Sequence, residues 1–304
     1  MNFCKKLQMD KKILGVDIGG TKIQLGIVED SKIIKEIKFP TLSGASKEDI
    51  IQNLIRGIES LGNESFQGIG IGVPGLVDEN NGIVYDLLNI SSWKEVHLKK
   101  QLEEHFHIPV RITNDANVFA IGEKIFGKGS NYKNLIGITM GTGFGTGIIA
   151  NHRLYSGSFS SAGELGSIPY LGKTIEDYCS GKFFKNQYGL KGANVFKDAE
   201  KGEKYALKIL EEFGEHLGNA INHILYILSP EAILLGGSVS KSFKFFEAGM
   251  LHAIKDFPFK RVTDQLVIEP SDMENISILG AAALIISESK EYNMNNSNQN
   301  TILP

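Results

Sequence analysis

The stretch ILGVDIGGTKIQLGIVE, residues 13–29, decides the architecture of the chain. Residues 13–18 are mostly apolar and predict a strand, and residues 22–29 predict a second strand. Gly19 and Gly20 between them predict a tight turn, because glycine accepts the backbone angles that such turns need. The stretch therefore predicts a β-hairpin closed by a glycine turn.

The same turn is a candidate phosphate-binding loop. Its small residues let backbone amides approach a phosphate, and Thr21 adds a hydroxyl donor beside Lys22. Asp17 would repel a phosphate, so a carboxylate here indicates Mg²⁺, bound directly or through water. The order Thr-Lys and the strand-like residues after it exclude a P-loop, which opens a helix. A hairpin turn that binds nothing remains an alternative.

The opening pattern recurs in the middle of the chain. Residues 134–140 predict a strand, GTG at 141–143 a turn and residues 145–150 a second strand. Four alternate glycines are costly in a purely structural sheet, so close approach of a ligand to Thr142 and Gly143 explains them better. This weak internal repeat predicts a duplicated α/β fold with a second phosphate loop.

Hydrophobic patterns typical of strands and of helices alternate along the rest of the chain, which indicates the α/β class. Ligands in such sheets bind at the carboxyl ends of strands, a rule that selects Asp17, Asp115, Thr142 and Gly236. Residues 70–75 fit the dinucleotide pattern GxGxxG, but no helix follows them. Further strands are predicted at 32–39, 68–73, 110–113 and 232–235, and helices at 46–61, 93–106, 116–126, 205–228 and from Gly280 onward.

Asp115 follows the predicted strand 110–113 and precedes a predicted helix. Phosphate transfer to a hydroxyl needs one carboxylate near that hydroxyl to accept its proton, and Asp115 is suitably placed. Aspartate is also a good helix N-cap. Taken alone, its position leaves both roles open.

Composition limits the function classes. The chain has 304 residues, 42% hydrophobic and 22% charged, as is ordinary for a soluble globular protein. A net charge of −3 gives no reason to expect nucleic acid as a partner. Two cysteines, Cys4 and Cys179, cannot form a disulfide framework and predict a reducing cytoplasm. The polar N-terminus and the lack of a long apolar run predict no signal peptide and no membrane partner.

Seven motifs occur in a diagnostic order: DIGGTK, GVPG, NISSW, TNDAN, GTGFGTG, GELG and LLGG. This order resembles the ROK family of sugar kinases and sugar-responsive repressors, over roughly residues 12 to 290. The resemblance implies the actin-like (ribonuclease-H-like) ATPase fold, with two lobes around a cleft. It places the first lobe at residues 1–115 plus 280–304 and the second at 116–279.

The resemblance also implies roles for individual residues. Asp115 matches the catalytic base and Asn114 a sugar-binding amide. ATP with Mg²⁺ is the implied nucleotide. Its matching residues are Asp17, Gly19, Gly20, Thr21 and Lys22 in the first loop, Thr142 and Gly143 in the second, and Gly236 and Gly237 beside the adenosine. Sugar contacts are implied for Asn89, Glu164 and Glu176.

One region departs from the family pattern. The family usually has a histidine where this chain has Ser167, followed by a cysteine-rich loop, and together they bind a structural zinc. Cys179 alone cannot make a tetrahedral thiolate site. We therefore expect no zinc, and we expect Ser167 to alter how the sugar is held.

The resemblance implies an ATP-dependent kinase acting on a hexose or N-acetylhexosamine, at the 6-hydroxyl as in a glucokinase. It also implies a homodimer. A sugar-sensing regulator is the first alternative, although the first loop begins near residue 13 and leaves no room for a preceding DNA-binding domain. A catalytically inactive sugar-binding protein is the second.

Overall fold

The computed structural model describes residues 12–62, 64–87 and 89–299. The chain forms two compact units. Unit 1 comprises Met1–Phe126, Ser156–Ser161 and Met273–Pro304, and unit 2 comprises Gly127–Tyr155 and Ala162–Asp272.

A five-stranded mixed sheet is the centre of unit 1, in the order β3-β2-β1-β4-β8. The predicted hairpin is confirmed, because β1 and β2 pair antiparallel from Ile13 opposite Val28 to Ile18 opposite Ile23. β4 and β8 extend the sheet in parallel. The strands are β1 (Lys12–Ile18), β2 (Lys22–Glu29), β3 (Lys32–Pro40), β4 (Phe66–Val73) and β8 (Val110–Asn114).

A smaller three-stranded sheet follows β4, and it corrects the helix predicted for residues 93–106. The helix α2 is only Leu98–Phe106, because Trp93 is fully buried and β7 (Glu95–Val96) pairs with β6. Residues 93–97 are therefore not part of the helix. The other two strands are β5 (Leu76–Asp78) and β6 (Ile83–Tyr85).

Three longer helices cover the main sheet of unit 1. α1 (Lys47–Glu59) begins as predicted after Ser46, whose hydroxyl accepts from the Asp49 amide (3.1 Å). α3 (Asp115–Phe126) and α10 (Ile276–Gln299) pack on each other and on the sheet. α10 lies so close to β4 that a Cβ on Gly70 would be 1.8 Å from the Ala281 carbonyl oxygen.

These contacts shift the lobe boundaries from those predicted. Residues 116–126 and 273–279 belong to unit 1, because α3 packs against α10 and β4. Ser156–Ser161 also belongs to unit 1, although the sequence assigned it to the second lobe. The predicted first lobe includes residues 1–11, 63, 88 and 300–304, which lie outside the described residues.

Unit 2 repeats the sheet, in the order β11-β10-β9-β14-β15. Its first two long strands are β9 (Leu135–Met140) and β10 (Phe144–Ala150), an antiparallel pair as predicted. The longest predicted helix is confirmed as α7 (Lys204–Ile227), which packs along α8 (Phe243–Ile254). The other strands are β11 (Arg153–Leu154), β12 (Pro169–Tyr170), β13 (Lys173–Thr174), β14 (Ala232–Gly236) and β15 (Val267–Pro270). The other helices are α4 (Ile175–Cys179), α5 (Lys182–Tyr188), α6 (Gly192–Glu200) and α9 (Lys260–Thr263).

The two main sheets have the same topology. In each, three antiparallel strands precede two parallel ones. The predicted duplication of an α/β unit is therefore confirmed. Within the described residues, no helix combines the length and apolar composition that crossing a membrane requires.

Candidate active site

The first glycine loop joins β1 to β2 as a tight turn. The Gly19 amide donates to the Lys22 carbonyl (2.9 Å), and the Thr41 hydroxyl donates to the Gly19 carbonyl (2.6 Å). A Cβ on Gly20 would lie 2.5 Å from the Cβ of Asn89. The structure therefore brings Asn89 against this loop, as only a glycine there permits.

Asp17 lies at the carboxyl end of β1, directly before the turn. Its burial raises the pKa of the carboxyl group above the ordinary value, while a hydrogen bond from Ser277 and the charge of Lys22 act in the opposite direction. Thr21 and Lys22 are exposed beside it. A poorly solvated carboxylate next to open backbone amides would be stabilised by a bound cation.

Asn114 and Asp115 join β8 to α3. The Asn114 side chain donates to the Gly75 carbonyl (3.2 Å) and accepts from the Ala116 amide (2.9 Å). Asn114 thus fixes both the GVPG turn and the start of α3. Asp115 is exposed, between buried neighbours. The side-chain oxygen that accepts from the Ala116 amide in the first turn of α3 belongs to Asn114.

Asp17 and the Asn114–Asp115 pair lie on one edge of the main sheet of unit 1. Asp17 is in register with Gly72 of β4, and Gly72 is in register with Thr113 of β8. Because these parallel strands all end at this edge, Asp17 and the Asn114–Asp115 pair are two strands apart on it. The residues that the carboxyl-end rule selected in unit 1 therefore lie at one edge of one sheet.

The second glycine loop joins β9 to β10 in unit 2. The Gly141 amide donates to the Gly143 carbonyl (3.0 Å), which closes the turn and leaves Thr142 exposed at its tip. The Gly181 amide donates to the Gly141 carbonyl (2.8 Å) and ties the loop to the start of α5. These two backbone bonds help to hold the loop in place.

Glu176 contacts this loop directly. Its Oε2 accepts from the Phe144 amide (3.0 Å) and would be only 2.7 Å from a Cβ on Gly143. Its Oε1 forms an ion pair with Lys182. Glu176, which the family resemblance implies as a sugar contact, thus also holds the second glycine loop through the Phe144 amide.

Glu164 precedes a 3₁₀ turn, Leu165–Ser167, and both Glu164 and Ser167 are exposed. The Ser167 amide donates to the Glu164 carbonyl (3.2 Å). Desolvation raises the pKa of the Glu164 carboxyl group, and the negative charge of Glu176 raises it further. The structure thus brings the two predicted sugar carboxylates within electrostatic reach of each other.

Gly236 is the last residue of β14, which pairs in parallel with β9, and Gly237 follows it. Gly236 is opposite Thr139, so this end of β14 lies beside the strand that leads into the second glycine loop. Gly237 has φ of +85°. The predicted adenosine loop and the second phosphate loop are therefore at the same edge of one sheet.

Sequence reasoning missed two charged residues beside these loops. Lys182 directly follows Gly181 and pairs with Glu176. Glu79 lies after β5 and accepts hydrogen bonds from three hydroxyl groups. The run DEN at 78–80 gave no local signal, because the partners of Glu79 are 34 to 81 residues away in the sequence.

No group of three or more potential metal ligands among His, Cys, Asp and Glu occurs in the part of the chain that the structure describes. Cys179 is buried, and its burial raises the pKa of the thiol. Cys4 lies outside the described residues. The absence of zinc stays a prediction.

Comparison with known proteins agrees with this architecture. The chain is 30% identical over 308 residues to the glucokinase of Thermotoga maritima, covering 90% of this chain and 97% of the relative. It is 30% identical over 296 residues to the xylose repressor of Bacillus subtilis, covering 90% of this chain and 76% of the repressor. The crystal structure of a ROK family glucokinase from Streptomyces griseus, in complex with glucose and AMPPNP, superposes with a TM-score of 0.76. That match has 26% identity and covers 90% of this chain and 98% of the other.

These similarities confirm the α/β, actin-like ATPase fold expected from the motifs. The ROK family profile matches residues 13–288, which is nearly the whole chain. The chain belongs to the ROK family.

Proposed function

We propose that the protein is an ATP-dependent sugar kinase in which Asp115 is the general base. The observation that carries the proposal is the exposed Asp115 carboxylate at the sheet edge where Asp17 and the first glycine loop also lie. The side-chain oxygen of Asn114 caps the start of α3 beside it. Glucokinases among the relatives support the same reaction class.

The residues around the loops fit a nucleotide with a divalent cation. A Cβ on Gly20 would clash with the Asn89 side chain, and a Cβ on Gly143 would clash with the Glu176 side chain, so both loops need glycine at these positions. Asp17 is a hard oxygen ligand of the kind that Mg²⁺ takes, directly or through water. When bound, Mg²⁺ would neutralise charge on the phosphates. The nucleotide-binding residues would be Asp17, Gly19, Gly20, Thr21, Lys22, Thr142, Gly143, Gly236 and Gly237.

The sugar would be held by amides and carboxylates. An ionised carboxylate has about four acceptor positions, so Glu176 can accept sugar hydroxyls besides its bonds to Phe144 and Lys182. Glu164 is exposed and available to accept as well. Asn89, Asn114 and Ser167 complete the proposed set. A hexose or N-acetylhexosamine carries the hydroxyls that such acceptors recognise.

Asp115 would accept the proton of the attacking hydroxyl, which we place at the sugar 6-position. The hydroxyl oxygen forms a bond to the γ-phosphorus as the bond from that phosphorus to the β–γ bridging oxygen breaks. The products are the sugar phosphate, ADP and a proton on Asp115, which is then lost to solvent. Asn114 fixes the start of α3 and thereby orients the base.

Replacing Asp115 by asparagine tests the assignment. Asp115→Asn keeps the size of the side chain but removes its basicity, so kcat should fall by about 10²-fold or more. Calorimetry should show the sugar still binding, because the mutation removes an interaction made in the transition state. Asp256→Asn, which changes an exposed aspartate of unit 2, is the matched control. Near wild-type kcat in Asp115→Asn would show that the base lies elsewhere.

The similarity to a xylose repressor favours a sugar-sensing regulator as a second candidate. Sugar-dependent release of ADP, followed by a coupled assay over a panel of sugars, supports the kinase. A DNA mobility shift at low salt without any ADP release supports the regulator. Sugar binding with neither response indicates an inactive sugar-binding protein. Homodimerisation and a cytoplasmic location stay predictions.

A further inference from the structure

Three hydroxyl groups surround the carboxylate of Glu79 in unit 1. Its Oε1 accepts from the hydroxyls of Thr113 and Ser160, the latter at 2.8 Å. Its Oε2 accepts from the hydroxyl of Ser156 (2.8 Å). Thr113 is 1% exposed and Ser160 is 3% exposed, so these bonds are largely shielded from water. A carboxylate with three hydroxyl donors in such a setting is a built network rather than a surface contact.

The network leads directly to the proposed catalytic residues. Thr113 is the residue before Asn114 and Asp115, and its hydroxyl also accepts from the Asn117 amide group (3.2 Å) in the first turn of α3. Glu79 therefore holds, through one threonine, both the last residues of β8 and the start of α3. Those are the two elements whose junction sets the position of Asp115.

The network also holds Ser156–Ser161, a segment with a strained backbone. Phe159 and Ser160 have φ of 55° and 54°, which costs a non-glycine residue about 1 kcal/mol or more each. The Ser160 hydroxyl also lies 3.2 Å from the Val77 carbonyl, and the Phe159 ring packs edge-on against Tyr85. Such a conformation persists only where its surroundings hold it.

We propose that Glu79 is a positioning residue for the kinase reaction. Glu79 fixes Asp115 through Thr113, and it anchors the segment Ser156–Ser161 through Ser156 and Ser160. The inference rests on the proposed function. In this role Glu79 would act through its hydroxyl partners and would not touch the reacting atoms. Its removal would free three hydroxyl groups at once and loosen the junction between β8 and α3.

Kinetics of Glu79 variants test the positioning role. Glu79→Ala should lower kcat roughly 10-fold or more, because small displacements of a catalytic group are costly. The KM for the sugar should change less than about 3-fold, since Glu79 is not in the proposed sugar set. Glu79→Gln should restore most of kcat: its oxygen can accept from Thr113 and Ser160, and its amide can donate to a rotated Ser156 hydroxyl.

Asp78→Ala is the matched control. Asp78 is the adjacent acid, but its carboxylate accepts from the side chain and the amide of Asn81 within the β5–β6 turn. It should lower the melting temperature without lowering kcat. If Asp78→Ala lowers kcat as much as Glu79→Ala, or if Glu79→Gln gives no rescue, the role is structural and the proposal is wrong. If Glu79→Ala does not fold, Ser160→Ala takes its place with the same expected loss of kcat.

Limited proteolysis measures the anchor without any assay of activity. Tyr155 and Phe159 are exposed and flank the anchored serines. Glu79→Ala should be cut by chymotrypsin at these two positions several-fold faster than the wild type, and Glu79→Gln should not. Unchanged cutting in Glu79→Ala overturns the proposal. If the wild type phosphorylates no sugar, the proposed function fails, while faster cutting still establishes the anchor.

Discussion

Gly237 is a residue at which two geometric constraints coincide. Its φ of +85° is a conformation that side chains disfavour, and a Cβ there would lie 2.2 Å from the Met140 carbonyl oxygen. Either constraint alone would favour glycine. Because glycine meets both constraints, β14 can end beside β9 at the second glycine loop, where we place the nucleotide.

We expect Gly237→Ala to destabilise the protein and to weaken nucleotide binding. Backbone strain alone costs about 1–2 kcal/mol, and the clash with the Met140 carbonyl adds to it. Gly172→Ala is the control, because Gly172 has φ of +76° but open space around its Cβ. The melting temperature should fall more in Gly237→Ala than in Gly172→Ala, and only Gly237→Ala should raise the KM for ATP. Equal melting temperatures would mean that the strand end moves to accommodate the methyl group.

At the scale of elements, the β12–β13 hairpin is joined to the helices of unit 2 by aromatic contacts. It carries Tyr170, whose ring packs edge-on against Tyr178 and His216. The Tyr170 hydroxyl lies 3.1 Å from Nδ1 of His216 on α7. Phe183 of α5 packs against the same imidazole. This aromatic cluster fastens the hairpin to the helices of unit 2.

The cluster makes stability depend on pH through His216. Burial lowers the pKa of His216 below 6.5, although Glu212 and Glu215 oppose the shift. As the pH falls below 6.5, the unfolded chain binds a proton on His216 before the folded protein does, so stability declines. His216→Gln keeps a partner for the Tyr170 hydroxyl but does not titrate. Between about pH 7.5 and about pH 5.5, the melting temperature of the wild type should fall more than that of His216→Gln. Parallel losses would show that His216 titrates alike in both states.

The sequence predicted elements well where periodicity is local and poorly where long-range burial decides. The hairpin β1–β2 and helix α7 follow directly from alternation and from one apolar stripe. The range 93–106 has helical spacing, yet Trp93 is buried and its neighbours form a strand. The partners of Glu79 are 34 to 81 residues away, so no local pattern could reveal them. The glycine motifs that we propose as the site are therefore visible in the sequence, whereas the contacts of Glu79 that we propose to position Asp115 are not.

For the whole molecule, duplication has produced two sheets, each packed against buried apolar side chains of its own unit. The core of unit 1 contains Trp93 and Leu54, and that of unit 2 contains Phe213. Trp93 is the one tryptophan of the chain and is fully buried, so tryptophan fluorescence follows the unfolding of unit 1 alone. Circular dichroism follows the helices of both units. The two signals can therefore separate the units.

Core truncations in each unit should move these signals differently. Phe213→Ala removes a fully buried ring that contacts Phe183, Phe184 and Phe246, at a cost of about 3–5 kcal/mol. In urea titrations it should shift the circular dichroism transition to lower denaturant and shift the fluorescence transition less. Leu54→Ala, the counterpart in unit 1, should shift the fluorescence transition. If each variant moves both signals equally, the two units unfold as one cooperative body. Separate responses would mean that each copy of the duplicated fold is stabilised by its own core.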